Sequence, residues 1–139
     1  RADQGQVFAV EKKDDAVALL YENKQRFAAD NLEIIKGEAP EALKELPVPT
    51  HAFIGGSSGN LKEIVALLLE KNRDVRIVIN CITLETISEA LEILKEYDFA
   101  DQEAVQLTAS RSKEIGKYHL MMGENPIYII TCQSPRAQI

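Results

Sequence analysis

Cysteine is scarce in this chain: two in 139 residues, Cys81 and Cys132. Neither stands in a CxxC or Cys/His spacing, and both fall in apolar stretches, so they read as buried free thiols rather than as a disulfide or a zinc site. No metal site is readable. Long apolar runs are missing too. Nothing approaches the roughly 20 residues that cross a bilayer, and Arg1-Ala-Asp-Gln-Gly-Gln6 lacks the apolar core of a signal peptide. The expectation is a soluble, cytoplasmic protein with no membrane partner. Basic residues are outnumbered 16 to 22, and the net charge of −6 opposes non-specific attraction to nucleic acid. Internal repeats, low-complexity tracts and linkers are absent. With 45% hydrophobic residues in 15.5 kDa, residues 1–139 are expected to form one domain with its own core.

What is present centres on Thr50-His-Ala-Phe-Ile-Gly-Gly-Ser-Ser-Gly-Asn60. The apolar run Ala52-Phe53-Ile54 stops at Gly55-Gly56-Ser57-Ser58-Gly59, and Leu61, Ile64, Val65, Leu68 and Leu69 then recur at helical spacing. This reads as strand, tight loop, helix. In an open parallel sheet such a loop lies where ligands bind, with the helix's unpaired N–H groups aimed at an anion. Alternatively the glycines merely turn the chain and Ser58 or Asn60 caps the helix.

Around this stretch the chain reads in order. Gln6–Val10 is a strand ending in Glu11, followed by a helix from Asp14, capped by Asp14 or Asp15, with Ala16, Val17, Leu20 and Phe27 on its stripe. Leu32–Lys36 is the next strand, and Pro40 opens a short helix through Leu46. Arg76–Asn80 is an apolar strand of the kind buried on both faces. A helix opened by Thr83–Thr86 carries Ile87, Ala90, Leu91 and Leu94 on one stripe. Glu103–Thr108 is a strand, the basic segment Arg111–His119 a loop, and Pro126–Cys132 the last strand, with Pro126 at a permitted first position. No pattern is visible after Ser134. The order predicts an α/β, mostly parallel sheet with an antiparallel pair at one side.

The ordered set Val7–Glu11, Gly37–Leu43, Phe53–Gly59, Ile79–Thr86 and Ser110–Ser112 resembles the precorrin C5,15-methyltransferases of cobalamin biosynthesis, specifically their decarboxylating methyltransferase domain. The resemblance covers nearly the whole chain. It implies a Rossmann-like class I fold that uses S-adenosylmethionine, and C-methylation of a carboxylate-rich precorrin tetrapyrrole with loss of carbon dioxide from an acetate side chain. It also implies a homo-oligomer. Family members place a strand, a Gly-rich loop and a helix before the counterpart of Val7–Glu11. The chain is therefore expected to be incomplete at its N-terminus, lacking the first strand and the clamp on the methionine end of the cofactor, with its activity in doubt.

The resemblance assigns residues to roles. Glu11 would accept hydrogen bonds from the ribose diol; its plainer role is a solvated carboxylate at a helix approach. Lys12 and Gly37 join it in the cofactor set, while Glu38 and Ala39 would meet the adenine edge, although Glu38 equally suits the first turn of the helix after Pro40. Gly55 and Gly56 would lie beneath the transferring methyl group. Ser57, Ser58, Asn80, Thr83 and Arg111 are candidates for the substrate, with Thr83 alternatively a helix cap. Tyr118 and His119 are candidates for proton handling, and His51 is structural. No nucleophile triad is needed, because the methyl group is already activated in the cofactor. Two other readings remain: another class I methyltransferase acting on a small molecule or RNA, and a non-catalytic Rossmann-like module that assembles with partners. An Asp-Pro-Pro-Tyr type loop after the Ala52 strand would favour methylation of amino nitrogens; Gly55-Gly56-Ser57-Ser58 is not one.

Overall fold

The computed structural model describes residues 4–57 and 59–136. They fall into two compact units, one up to Pro47 and one from Val48 onward.

In the first unit, strands β1 (Val7–Glu11) and β2 (Leu32–Lys36) pair in parallel, Val7 opposite Leu32 and Glu11 opposite Lys36. Helix α1 (Asp14–Arg26) connects them. Ala16, Val17 and Leu20 are half-buried on its inner stripe, but no described residue of this unit is fully buried. Phe27 departs from the expectation. The helix ends at Arg26, and Phe27 is its 70% exposed C-cap, with the Arg26 guanidinium 5.6 Å from its ring centre. Neither Asp14 nor Asp15 caps α1. Both lie inside its first turn, and Lys13 occupies the cap position without a side-chain bond. Polar ties fasten the helix instead: the Lys24 ammonium donates to the Leu32 carbonyl, and Lys36 pairs with Asp14. The short helix after Pro40 contracts to a 3-10 turn, Glu41–Leu43.

In the second unit, β3 (His51–Ile54) runs parallel to β4 (Arg76–Cys81), with Ile54 opposite Ile79. The last strand, β8 (Ile127–Pro135), lies antiparallel between β4 and β5 (Phe99–Leu107), giving the order β3-β4-β8-β5. Both flanking strands outrun their expected limits. β5 begins at Phe99, directly after the left-handed Asp98 that ends the preceding helix (φ 45°), and β8 continues through Ser134 to Pro135.

The core of this unit lies on one face of the sheet. Ile54, Ile77, Ile79, Cys81, Ile130 and Cys132 are buried there together with Leu61, Ile64, Val65, Leu68 and Leu69 of α2 (Leu61–Lys71). All five α2 positions agree with the helical spacing, and burying each is worth about 1.5–3 kcal/mol. Two expectations change. β4 alternates between fully and half-buried rather than being sealed on both faces, because the helices close only one side of it. In α3 (Leu84–Tyr97) the buried stripe is Ala90, Ile93 and Tyr97, while Leu91 is 46% exposed.

The basic segment is not a loop. It is a two-stranded ribbon, β6 (Ser110–Ile115) and β7 (Tyr118–Gly123), forming a sheet of its own. Gly116 takes φ +63° at the first position of the two-residue turn, which suits the type II′ geometry of tight hairpins. Among the described residues no helix is long and apolar enough to cross a membrane. The packing predicts that Ile93→Ala destabilises the chain by about 2–5 kcal/mol while Leu91→Ala costs under about 1 kcal/mol in urea denaturation. Equal losses would return Leu91 to the core.

Candidate functional site

Parallel pairing brings strand ends together, and the candidates gather at two such ends. In the first unit, the Gly37 N–H donates to the Glu11 carbonyl at 3.0 Å, carrying the β1–β2 ladder one step further. Glu11 and Gly37-Glu38-Ala39 thus meet at the carboxyl end of the pair. A side chain at position 37 would bring its Cβ to 2.8 Å from the Cβ of Ala42, so glycine is needed for this close approach. Lys12 Nζ contacts Glu38 Oε1 at 2.8 Å, joining the two expected cofactor segments, with both side chains about half exposed.

Glu11 has a local task as well. Its Oε1 accepts from the backbone N–H groups of Lys12 and Lys13, each at 2.9 Å. It therefore holds the approach to α1, as its plainer reading anticipated, while inside the first turn Asp15 Oδ1 accepts from the Ala16 N–H at 2.9 Å. With Oε1 spent on the turn, Oε2 is the oxygen the carboxylate has to offer.

In the second unit, Gly55, Gly56 and Ser57 follow β3 at the end where Asn80 lies in the last rungs of the β4 ladder and Thr83 follows that strand. A Cβ at Gly56 would meet nothing within 4 Å, so this glycine leaves open space above the backbone; Gly59 takes φ +86°. Asn60 is the cap residue of α2 but makes no side-chain cap bond. Ser58 lies outside the described residues. One N–H at the start of α2, that of Lys62, already donates to Glu89 Oε1 at 3.3 Å. Glu89 was invisible to sequence reasoning, since it is 27 residues away and belongs to another helix.

Asn80 and Thr83 differ in what they have left to give. Thr83 Oγ1 accepts from Thr86 N–H at 3.2 Å and lies 3.0 Å from Thr86 Oγ1, so Thr83 caps α3. Asn80 is half-buried on β4, and its Oδ1 is buried with no hydrogen-bond partner among the described residues. A buried acceptor without a partner costs about 1–3 kcal/mol, a debt that a bound donor would cancel.

Arg111, Tyr118 and His119 stand on the exposed ribbon, which leaves the sheet at the carboxyl end of β5, the end at which Thr83 follows β4. Arg111 Nε is 3.4 Å from Glu124 Oε1, Tyr118 is opposite Ile115, and His119 is opposite Glu114. His51 is exposed at the start of β3, its Nδ1 3.1 Å from Thr50 Oγ1. A hollow of about 350 Å³ beside Arg76, Asp101, Glu103 and Thr131, and one of about 200 Å³ between Lys62, Glu63 and Tyr97, contain none of the candidates.

No group of three His, Cys, Asp or Glu able to hold a metal occurs among the described residues. The two thiols are free and buried. Burial pushes Cys132 up to about 11 and raises Cys81 as well, so neither is an activated nucleophile at neutral pH.

Three comparisons bear on this arrangement. A profile described as "Precorrin methyltransferase domain" matches residues 1–133. The probable cobalt-precorrin-6B C(15)-methyltransferase (decarboxylating) of Pyrobaculum calidifontis is 36% identical over 126 residues, covering 90% of this chain and 64% of the relative. Its namesake in Sulfurisphaera tokodaii is 34% identical, with coverages of 96% and 69%. The chain thus spans about two thirds of the length of these curated relatives. Among solved structures, precorrin-6y C5,15-methyltransferase of Geobacter metallireducens superposes with a TM-score of 0.83 at 32% identity, covering 93% of this chain and 68% of that one. A S-adenosylmethionine-dependent O-methyltransferase of Thermotoga maritima, 18% identical with a TM-score of 0.71 over 97% of this chain and 52% of its own, shares the fold alone. The fold is the α/β fold of class I S-adenosylmethionine-dependent methyltransferases.

The thiols yield a prediction with a definite sign. Cys132 ionises in the unfolded chain near the usual thiol value but resists ionisation when folded, so its contribution to stability is complete below about pH 8.5 and is lost as pH rises toward 11. Cys132→Ala should flatten that loss, by roughly 2 kcal/mol between pH 8 and 11 in urea titrations. An unchanged slope would show that burial does not hold this thiol neutral.

Proposed function

Because this chain belongs to the precorrin methyltransferase domain family, we propose that the complete protein methylates a ring carbon of a precorrin tetrapyrrole and decarboxylates one of its acetate side chains, in cobalamin biosynthesis. The observation that carries this reading is the meeting of Glu11 with Gly37-Glu38-Ala39 at the carboxyl end of two parallel strands, beside a glycine whose Cβ would clash. Carboxylates in that position suit a ribose diol and an adenine amino group, as in nucleotide sites of open α/β sheets.

In this proposal residues 1–139 work as one methyltransferase domain, in the cytoplasm, as a homo-oligomer with no nucleic-acid or membrane partner. S-adenosylmethionine, when bound, supplies a methyl group already activated on a sulfonium, so the protein's own work is positioning and exclusion of water. Glu11 offers Oε2 to the ribose while Oε1 holds the turn. Lys12 orients Glu38 toward the adenine, and Ala39 lines its edge. Gly55 and Gly56 admit the substrate close to the backbone, and Asn80 Oδ1 accepts from a substrate donor. Ser57, Ser58 and the Thr83 hydroxyl add polar contacts. Arg111 meets a substrate carboxylate in the paired geometry a guanidinium favours, and Tyr118 and His119 handle protons.

Two measurements test these roles. Calorimetric titration of the complete protein should show Glu11→Ala weakening S-adenosylmethionine binding by roughly 1.5–3 kcal/mol. Glu11→Gln keeps an amide oxygen for the Lys12 and Lys13 N–H groups, and so separates turn from ligand. If both variants fold and bind normally, Glu11 leaves the site.

For the substrate, Arg111→Ala should raise KM for a carboxylate-rich tetrapyrrole at least about tenfold while cofactor affinity stays within about twofold, as expected from losing one charged hydrogen-bonding partner. Equal losses for both ligands would point to a folding defect instead.

A further inference from the structure

The sheet of the second unit carries an aliphatic row at its carboxyl end, on the face away from α2 and α3. Those helices cover the face with Ile79 and Cys81. Alternate residues of β4 face the other way, and residues directly opposite in the register share that face with them. Asn80 is opposite Ile129, which is opposite Val105, and one row nearer the carboxyl end Ile127 is opposite Leu107. The same register, carried one residue past β4, sets Ile82 beside Ile127. The row Ile82-Ile127-Leu107 therefore borders the row that begins with Asn80.

This row contributes little to folding. Ile82 is 54% exposed and Leu107 48%, Ile127 is half-buried, and Leu84, the first residue of α3, is 78% exposed. Thr83 caps α3 with its hydroxyl, a task that does not call for large aliphatic neighbours. Large aliphatic side chains meeting water together at one strand end form an exposed patch of the kind that is commonly functional. In the adjoining row, Asn80 Oδ1 is buried and has no partner among the described residues. Gly56, which leaves β3 at the same end, keeps open space above its backbone. An apolar floor with one unmet acceptor at its margin has the composition of a small-molecule site.

We propose that Ile82, Leu84, Leu107 and Ile127 form the floor on which the substrate's macrocycle lies flat, and that this floor selects a closed tetrapyrrole ring. A precorrin carries charged arms around an apolar ring. Its arms reach solvent while the face of its ring takes the aliphatic row out of water, and Asn80 Oδ1 accepts from a donor at the ring's edge and so fixes how the ring is turned. The inference rests on the proposed function and names the residues that recognise its substrate class.

Fluorescence titration of the complete protein with uroporphyrin III, a closed and carboxylate-rich ring, is the test. Ile82→Ser with Leu107→Ser should weaken binding at least about tenfold, the loss expected when two aliphatic contacts with the ligand are removed. Affinity for S-adenosylmethionine should stay within about twofold and the thermal midpoint within about 2 °C, because both side chains already meet water. Leu84→Ser alone should weaken ring binding several-fold, and it decides the matter if the double variant unfolds. Ile82→Met with Leu107→Met keeps an apolar floor of another shape and should hold affinity within about threefold. Serine variants that bind the ring normally overturn the floor and leave the proposed function standing. Equal weakening in the methionine variant would assign these positions to the fold and overturn the floor as well. Unmodified protein that binds the ring through these residues but methylates no precorrin would end the proposed reaction and keep the floor. Unmodified protein that leaves uroporphyrin III unbound overturns the floor, and the proposed function with it only if no precorrin is methylated.

Discussion

The burial of Ile77, Ile79 and Cys81 on a single face of β4 is the constraint from which the second unit follows. Those side chains, together with Ile54 of β3 and Ile130 and Cys132 of β8, need an apolar cover, and α2 and α3 supply it. A helix that must return over one face of a sheet to start the next parallel strand leaves every strand-to-helix loop at the same end. Gly55-Gly56-Ser57 and Asn80–Thr83 are neighbours for that reason. Their adjacency is a product of core packing before it is a product of chemistry.

The two candidate clusters differ in how local interactions constrain them. Glu11 and Thr83 each spend an acceptor on the start of a helix, Glu11 toward Lys12 and Lys13 and Thr83 toward Thr86. Such a bond fixes a side chain's orientation and leaves part of its capacity for a ligand. Asn80 is the opposite case. Its Oδ1 is buried with nothing described to meet it, and a strand position half-sealed by its neighbours cannot readily turn it to solvent. Within one fold, then, some polar groups are held ready by their backbone duties and another by the absence of any.

Where local periodicity and burial coincide, the sequence was legible. The five apolar positions of α2 are five buried side chains, and the strand–glycine–helix transition at Ile54–Leu61 is where the loop stands. In α3 the same reasoning chose Leu91 over Ile93, because an amphipathic pattern fixes a stripe only to within one side chain; the tilt against β4, β5 and β8 selected the other. The Arg111–His119 segment read as a loop because only Ile115 and Tyr118 in it are apolar, too few to show a strand pattern before its two halves are paired.

The amino-acid sequence by itself determined the α/β class, the order of its elements and the segments that resemble a methyltransferase family, because each depends on residues near one another along the chain. Only the tertiary structure decided that β8 would lie between β4 and β5, that Glu89 would meet the start of α2, and that Asn80 would keep a buried acceptor unpaired. It also decided that Arg111, Tyr118 and His119 would stand on a paired ribbon rather than in a loop. The reason is physical: a hydrogen bond or a strand pairing between distant residues is set by how the core closes, and no local spacing records it.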